Sequence, residues 1–127
     1  MKDYRQIQVW HRAHKLTLLV YRVTKRFPVS EQYSLTSQVR RAAYSIPMNI
    51  AEGCGKSSDA DFGRYLDVSA GSASELDYQL LLSRDLGFLD DRAYLELSTE
   101  LTEIRRMLTA LIQRVKKTGR QPRKAKS

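Results

Sequence analysis

Four stretches of the chain repeat apolar residues at alternating steps of three and four positions, and this spacing constrains the fold more than any other feature. Such spacing places the apolar side chains on one face of an α-helix. The first two stripes are Val9, Ala13, Leu16, Val20, Val23 and Phe27, then Leu35, Val39, Ala42, Ile46, Asn49 or Ile50, and Gly53. The other two are Phe62, Leu66, Ser69, Ala73, Leu76 and Leu80, then Tyr94, Leu97, Leu101, Ile104, Leu108, Leu111 and Val115. The pattern predicts four amphipathic helices.

Residues that stop or cap helices separate the four stripes. The residue before a proline avoids helical geometry, glycine accepts the left-handed geometry that ends many helices, and a Ser or Asp side chain caps a first turn. These rules predict helix ends at Pro28, at Gly53 with Gly55, and at Gly87, and caps at Ser58 and Asp90. Short connections favour antiparallel neighbours. We therefore predict an all-α fold, an antiparallel up-down four-helix bundle over residues 1–115.

Positive charge is concentrated at the two ends of the sequence. The 127 residues include 22 Lys and Arg against 14 Asp and Glu, a net charge of +8. Residues 1–41 hold nine basic and two acidic residues, residues 42–115 hold seven and twelve, and residues 116–127 hold six and none. The last segment has no apolar residue larger than alanine, so it is predicted to be a disordered basic tail. The body is nearly neutral, and its charge alone does not indicate nucleic-acid binding.

The sequence lacks the patterns of secreted, membrane and catalytic proteins. It has no signal peptide pattern and no apolar run that could span a bilayer, so a soluble cytoplasmic protein is expected. His11 and His14 have no carboxylate partners at the spacing of a di-metal bundle, and neither a zinc motif nor a glycine-rich phosphate loop occurs. No catalytic residue, metal or cofactor is expected. Cys54, the single cysteine, is expected to be a small buried filler or an incidental thiol rather than a nucleophile.

Pro47 interrupts an otherwise helical pattern in the second stripe. Proline has no N–H and clashes with the preceding turn, which costs about 3 kcal/mol in a helix interior. Because the stripe continues through Ile50, we predict a kinked helix rather than a helix end. The kink frees the carbonyl of Ala43. The Ser45 hydroxyl, the Asn49 amide or a water molecule are the candidates to satisfy such freed groups.

Pro47, Asn49, Glu52 and Gly53 together form a predicted structural motif. Asn49 lies near the apolar stripe, where a polar residue can fix register or subunit number as in coiled coils. Glu52 is predicted to pair with Arg41 or Arg64. No part of this motif requires catalysis.

Two segments, LTSQVRRAAYSIPMNIAEGCGK and DFGRYLDVSAGSASELDYQL, resemble the four-helix bundle family also known as proteins encoded in 23S rRNA intervening sequences. The resemblance covers roughly residues 9–111 and is carried by Gln38, Arg40, Arg41, residues 45–47, residues 49–53, Gly71, Ser72, Glu75 and Leu76. It implies a protomer that assembles into a ring-like homopentamer. It also implies kinship with the accessory proteins of diversity-generating retroelements, which bind nucleic acid and contact a reverse transcriptase. The family often has arginine where this chain has Lys56.

The candidate nucleic-acid contacts are Arg40, Arg41, Lys56, Arg64, Lys15 and Arg22. Repeated around a ring, Arg40 and Arg41 would form a basic band for phosphates; alternatively, they pair with Glu52, Glu75 or Asp77. Arg12, Lys15, Arg22, Lys25 and Arg26 form either a solvated face of the first helix or a phosphate-facing surface. The seven tyrosines, Tyr4, Tyr21, Tyr33, Tyr44, Tyr65, Tyr78 and Tyr94, are expected mainly in the core.

The expected function is that of a non-enzymatic homo-oligomeric scaffold that binds nucleic acid, with RNA favoured over DNA. The alternative is a protein-interaction scaffold whose charged surfaces serve subunit assembly only. The basic first third and the acidic remainder meet either between neighbouring subunits in a head-to-tail ring or inside one bundle. The small residues at positions 69–74 pack either within the bundle or against another subunit.

Overall fold

Four α-helices packed against each other account for most of the computed structural model, which describes residues 2–120 without the side chain of Arg120. They are α1 (Gln8–Thr24), α2 (Leu35–Cys54), α3 (Asp59–Asp85) and α4 (Asp91–Arg120), with short 3-10 turns at Tyr4–Gln6 and Val29–Glu31. Each helix packs on the next one along the chain, and α4 closes the bundle against α1. Within these residues, no helix combines the length and the apolar character needed to cross a membrane.

The core is made of the four predicted stripes. All their members are buried except five that are half-buried at the edges: Val23, Leu35, Asn49, Tyr94 and Leu111. Burial of apolar area contributes about 25 cal/mol per Å², so these stripes supply the main driving force for helix packing. The predicted all-α four-helix architecture is confirmed.

Local sequence signals set most helix ends. The Ser58 hydroxyl accepts a hydrogen bond from the Asp61 N–H at 3.1 Å, and Asp90 Oδ1 accepts one from the Ala93 N–H at 2.7 Å. Both predicted caps are confirmed. Gly87 adopts φ 81° and ends α3 as predicted.

α2 ends at Cys54, between the two predicted glycines, but the geometry of this end differs from the prediction. Among the described residues only Gly87 has a positive φ, and Gly55 remains right-handed at φ −78°. The predicted position of this helix end is confirmed, whereas the expected left-handed geometry at Gly53 and Gly55 is wrong. Gly53 has a packing role instead, because a Cβ there would lie 2.9 Å from Phe62 Cδ1 and from Tyr65 Cβ. Glycine lets α3 approach α2 closely at this point.

The last helix extends beyond the predicted boundary at residue 115. α4 continues to Arg120, and Lys116 Nζ lies 3.3 Å from Asp67 Oδ2 on α3. Residues 116–120, predicted as part of a disordered tail, are therefore helical. The rest of that tail, residues 121–127, lies outside the described residues.

α2 passes through Pro47 without interruption, as the continuing stripe predicts. The carbonyl of Ala43 has lost its usual donor, the N–H at position 47. The Thr17 hydroxyl of α1 lies 3.1 Å from this carbonyl and 2.8 Å from the carbonyl of Ala13. The donor thus comes from a neighbouring helix and not from Ser45 or Asn49, which the sequence suggested.

Ser45 and Asn49 instead connect α2 to itself and to α3. The Asn49 amide donates to the Ser45 carbonyl at 2.7 Å and to the Ser45 hydroxyl at 2.9 Å. The Ser45 hydroxyl is also bonded to the Ser72 hydroxyl at 2.8 Å, and the Ser69 hydroxyl donates to the Ile46 carbonyl at 2.9 Å. These bonds set the register of α2 against α3. At Ser69 and Ser72, the small residues of α3 pack within the bundle.

Candidate nucleic-acid interface

Four exposed cations lie on the outer side of α1 and in the turn that follows it, on a stretch of sequence without acids. No Asp or Glu occurs between Asp3 and Glu31. Lys15, Arg22, Lys25 and Arg26 are exposed, and none of them forms an ion pair with another described residue. We call these four residues the α1 basic face. Two of them, Lys15 and Arg22, are predicted nucleic-acid contacts.

Arg40 and Arg41 have different environments although they are adjacent. The Arg40 side chain is half-buried, donates to the Thr24 hydroxyl at 2.8 Å and the Tyr21 carbonyl at 3.3 Å, and lies over the Tyr21 ring at 4.7 Å. It therefore fastens α2 to the end of α1. Arg41 is exposed and forms no ion pair with the described residues, so only Arg41 is available to a ligand. The predicted partner Asp77 pairs with Arg105 instead.

Lys56 and Arg64 lie together at the connection between α2 and α3. Both approach the ring of Tyr65, at 5.2 Å and 5.8 Å. Arg64 also pairs with Asp61 at 3.1 Å, one turn earlier on α3. Glu52 forms no ion pair within residues 2–120, so its predicted pairing with Arg41 or Arg64 is wrong. The structure does not place the six candidate residues on one surface.

Some of the basic first third pairs inside its own bundle. Arg12 of α1 donates two hydrogen bonds to Glu100 of α4, at 2.8 and 2.9 Å, and these bonds raise the pKa of Arg12. Lys2 reaches Asp59 at 3.4 Å. On α4, hydrogen bonding from Arg106 lowers the pKa of the Glu103 carboxyl. Intramolecular pairing therefore accounts for Arg12 and Lys2 but not for the α1 basic face.

The tyrosines are less buried than predicted. None of the seven is fully buried, and four are exposed: Tyr21, Tyr33, Tyr44 and Tyr78. Tyr33 is 89% exposed and Tyr78 61% exposed. The prediction of a mainly core role is wrong, because the rings lie at the edges of the stripes or in a turn, where the phenol oxygen reaches water.

An aromatic group at the start of α1 is a feature that the sequence-based prediction missed. The rings of Trp10 and His14 are nearly parallel, at 7°, with centroids 5.1 Å apart. Tyr4 and His11 contact the same indole, at centroid distances of 4.8 and 5.1 Å. The available signal was the four-residue spacing of Trp10 and His14, which places two rings on one helix face.

The described residues show no sign of a metal centre or a reactive thiol. No group of three or more His, Cys, Asp or Glu side chains within residues 2–120 is arranged to hold a metal ion. Cys54 is buried, which agrees with the first of its two expected roles, and burial raises the pKa of its thiol. A raised pKa lowers the thiolate fraction at neutral pH, which makes this cysteine a poor nucleophile.

The model of the 23S rRNA-intervening sequence protein family matches residues 5–110. The chain belongs to this family. It is also similar to the crystal structure of a protein with unknown function from the S23 ribosomal protein family of Bacteroides thetaiotaomicron VPI-5482. That similarity has a TM-score of 0.76 and 27% sequence identity, and it covers 83% of this chain and 98% of the other. No curated protein matches. The predicted family is thus confirmed, and the intervening-sequence family brings no assigned activity with it.

Proposed function

We propose that the protein is a non-enzymatic, homo-oligomeric scaffold that binds nucleic acid through the α1 basic face. The observation that carries this proposal is the set of four exposed cations, unpaired among the described residues, on a stretch without a single acid. Such cations bind phosphates and release the counterions that surround a nucleic acid. The affinity gained in this way falls steeply as the salt concentration rises. RNA is favoured over DNA on the strength of the resemblance to the retroelement accessory proteins. A reverse transcriptase as protein partner rests on the same kinship.

The outer side of α2 and α3 supports the oligomeric part of the proposal. Met48 and Val68 are 54% and 48% exposed. The hydrogen bond from the Ser69 hydroxyl to the Ile46 carbonyl brings these two residues to the same level of the bundle. Large apolar side chains grouped at a surface favour contact with another protein surface. The proposed arrangement is a ring-like pentamer in which this side of the bundle lies between subunits.

The test compares two triple variants of a chain shortened to residues 1–120. The first carries Lys15→Gln, Arg22→Gln and Lys25→Gln, whereas the control carries three substitutions on α4: Arg92→Gln, Arg114→Gln and Lys117→Gln. The control residues are also exposed and form no ion pair with described residues, so each variant loses three unpaired charges. Shortening after residue 120 removes the basic end of the chain and keeps α4 whole.

Binding of a labelled single-stranded RNA is then measured by fluorescence anisotropy over a range of salt concentrations. If all three α1 cations contact phosphates, the slope of log K against log salt falls by about 2 in the α1 variant, at about 0.7 per phosphate. The control variant keeps a slope close to that of the parent chain. Equal losses in both variants would contradict the proposal, because they would show a general charge effect rather than a binding face.

The alternative function, a protein-interaction scaffold whose charges serve assembly only, is favoured by the apolar surface of α2 and α3. Native mass spectrometry of the same α1 variant separates the two functions. The proposal expects an unchanged subunit number together with weakened RNA binding. An α1 variant that falls apart into smaller assemblies would instead assign these cations to subunit contacts.

A further inference from the structure

The first turns of α1 carry a fixed aromatic group at the protein surface. One face of the His14 imidazole packs on the Trp10 indole, and His14 itself is exposed. The Tyr4 ring contacts the indole at a tilt of 59°, and Arg5 lies over the Tyr4 ring at 5.1 Å. His11 Nε2 is hydrogen-bonded to the Arg5 carbonyl at 2.6 Å. These contacts hold the rings in place before any ligand arrives, which reduces the entropy lost on binding.

Anchoring of the N-terminal turn explains only part of this group. The contact between Tyr4 and Trp10 fastens the turn at Tyr4–Gln6 to α1. His14 lies one helical turn further along, and within residues 2–120 its ring makes no aromatic contact or hydrogen bond with that turn. Its stacking leaves a polar aromatic ring at the surface, where it adds little to the core.

His14 lies on α1 together with Lys15 and Arg22 of the α1 basic face, and Lys25 and Arg26 follow at the end of this helix. Lys15 follows His14 directly. Arg22 lies eight residues after His14, which is about 12 Å along the helix axis at 1.5 Å per residue. Sites for single-stranded nucleic acid combine a basic surface that follows the backbone with aromatic rings on which bases stack. The bases of a duplex are already stacked on each other, so a duplex offers only its phosphates and groove edges to such a surface.

We infer that the protein binds single-stranded nucleic acid, with an unpaired base stacked on the Trp10–His14 pair and the adjoining phosphates on the α1 basic face. The inference rests on the proposed function and deepens it, because it names the strand form of the ligand. It assigns His14 as a binding residue and Trp10 as the residue that positions it.

The sole tryptophan of the chain is Trp10, so its fluorescence reports on this site alone. The full chain is titrated with an unlabelled 12-nucleotide oligouridine and, separately, with a 12-base-pair RNA duplex at the same salt concentration. We expect the single strand to quench Trp10 and to bind at least tenfold more tightly than the duplex.

Two variants test the stacking ring. Stacking of one base is worth about 1–3 kcal/mol, so His14→Ala should weaken oligouridine binding about fivefold to 150-fold. His14→Phe keeps an aromatic face and should retain most of the affinity. Duplex binding should be unchanged in both variants, and this comparison removes any effect of a small loss of stability.

The outcomes separate this inference from the proposed function. If single strand and duplex bind equally and Trp10 fluorescence does not change, stacking at His14 is wrong, and the charge variants of the chain shortened to residues 1–120 decide separately whether the α1 basic face binds. If neither binds at physiological salt, both are wrong. Should His14→Ala fail to fold, the unaltered chain decides the question through acrylamide quenching of Trp10 fluorescence, measured with and without oligouridine. Weaker quenching in the presence of oligouridine supports stacking, and unchanged quenching refutes it.

Discussion

Replacing Thr17 with valine tests whether α1 satisfies the carbonyl that Pro47 frees on α2. Thr17 is 8% exposed, and its hydroxyl lies 3.1 Å from the Ala43 carbonyl. Valine has nearly the same shape, so the lost hydrogen bond should dominate the change in stability. A buried acceptor left unsatisfied costs about 1–3 kcal/mol. Because the single hydroxyl proton is shared with the Ala13 carbonyl, we expect a loss of about 1–2 kcal/mol.

A double-mutant cycle with Pro47→Ala isolates the effect. Alanine restores an N–H at position 47, which can donate to Ala43 within the helix. In that background Thr17→Val should cost less than about 0.5 kcal/mol, so the coupling energy should be about 1 kcal/mol. The free energy of unfolding is measured by urea titration with circular dichroism. One fixed protein concentration is used, since assembly would shift apparent stability.

Ser83 provides the matched control for this cycle. Its hydroxyl is buried and donates to the Gln79 carbonyl at 2.7 Å, a bond within α3 that does not involve Pro47. Ser83→Ala should cost the same in both backgrounds. If Thr17→Val also costs the same in both, within about 0.3 kcal/mol, the hydroxyl does not replace the missing N–H and the reasoning is refuted.

Three further predictions concern local features of the bundle. Gly53→Ala should lower the free energy of unfolding by about 1–3 kcal/mol, because its Cβ would lie 2.9 Å from side-chain atoms of α3, whereas Gly71→Ala has open space and should be neutral or stabilising in thermal melts. The buried Cys54 thiol should react with a disulfide reagent only as fast as the protein opens, and rapid labelling of the native protein would contradict its placement. Arg106→Ala should raise the pKa of Glu103 towards its ordinary value in a carboxyl NMR titration. The stability linked to this lowered pKa is present above the ordinary carboxyl pKa and is lost as pH falls through the lowered pKa. The stability of the Arg106→Ala variant should therefore change less between neutral and acid pH. An unchanged titration of Glu103 would refute the assignment.

The helices were predictable because their signals are local. The apolar stripes repeat within single helices, and the caps at Ser58 and Asp90 act on backbone groups three residues away. Such signals depend on spacing along the chain and hold in most tertiary contexts. The end of α4 was missed because residues 116–120 contain no apolar stripe. There, Lys116 forms a salt bridge with Asp67 of α3, and a contact between residues so far apart in the sequence cannot be predicted from local spacing.

The candidate site was only partly predictable. Lys15 and Arg22 lie in a stretch without acids, and the sequence alone shows that they have no local partner. Arg40 and Arg41 looked equivalent, yet adjacent helical residues point about 100° apart, and only Arg40 reaches α1. The spacing of Trp10 and His14 was a local signal for the aromatic group, whereas the contact of Tyr4 with Trp10 comes from outside the helix and only the structure shows it.

The sequence by itself determined the number of helices, the face that each one buries, the caps and the acid-free cationic stretch of α1. These properties follow from the spacing of residue types within one helix or turn. Only the tertiary structure decided that Thr17 serves the Ala43 carbonyl, that Gly53 admits α3, and that Arg40 is engaged while Arg41 is free of described partners. Such contacts join residues far apart in the chain, and they depend on the rotation and register of whole helices, which many side chains set together through packing.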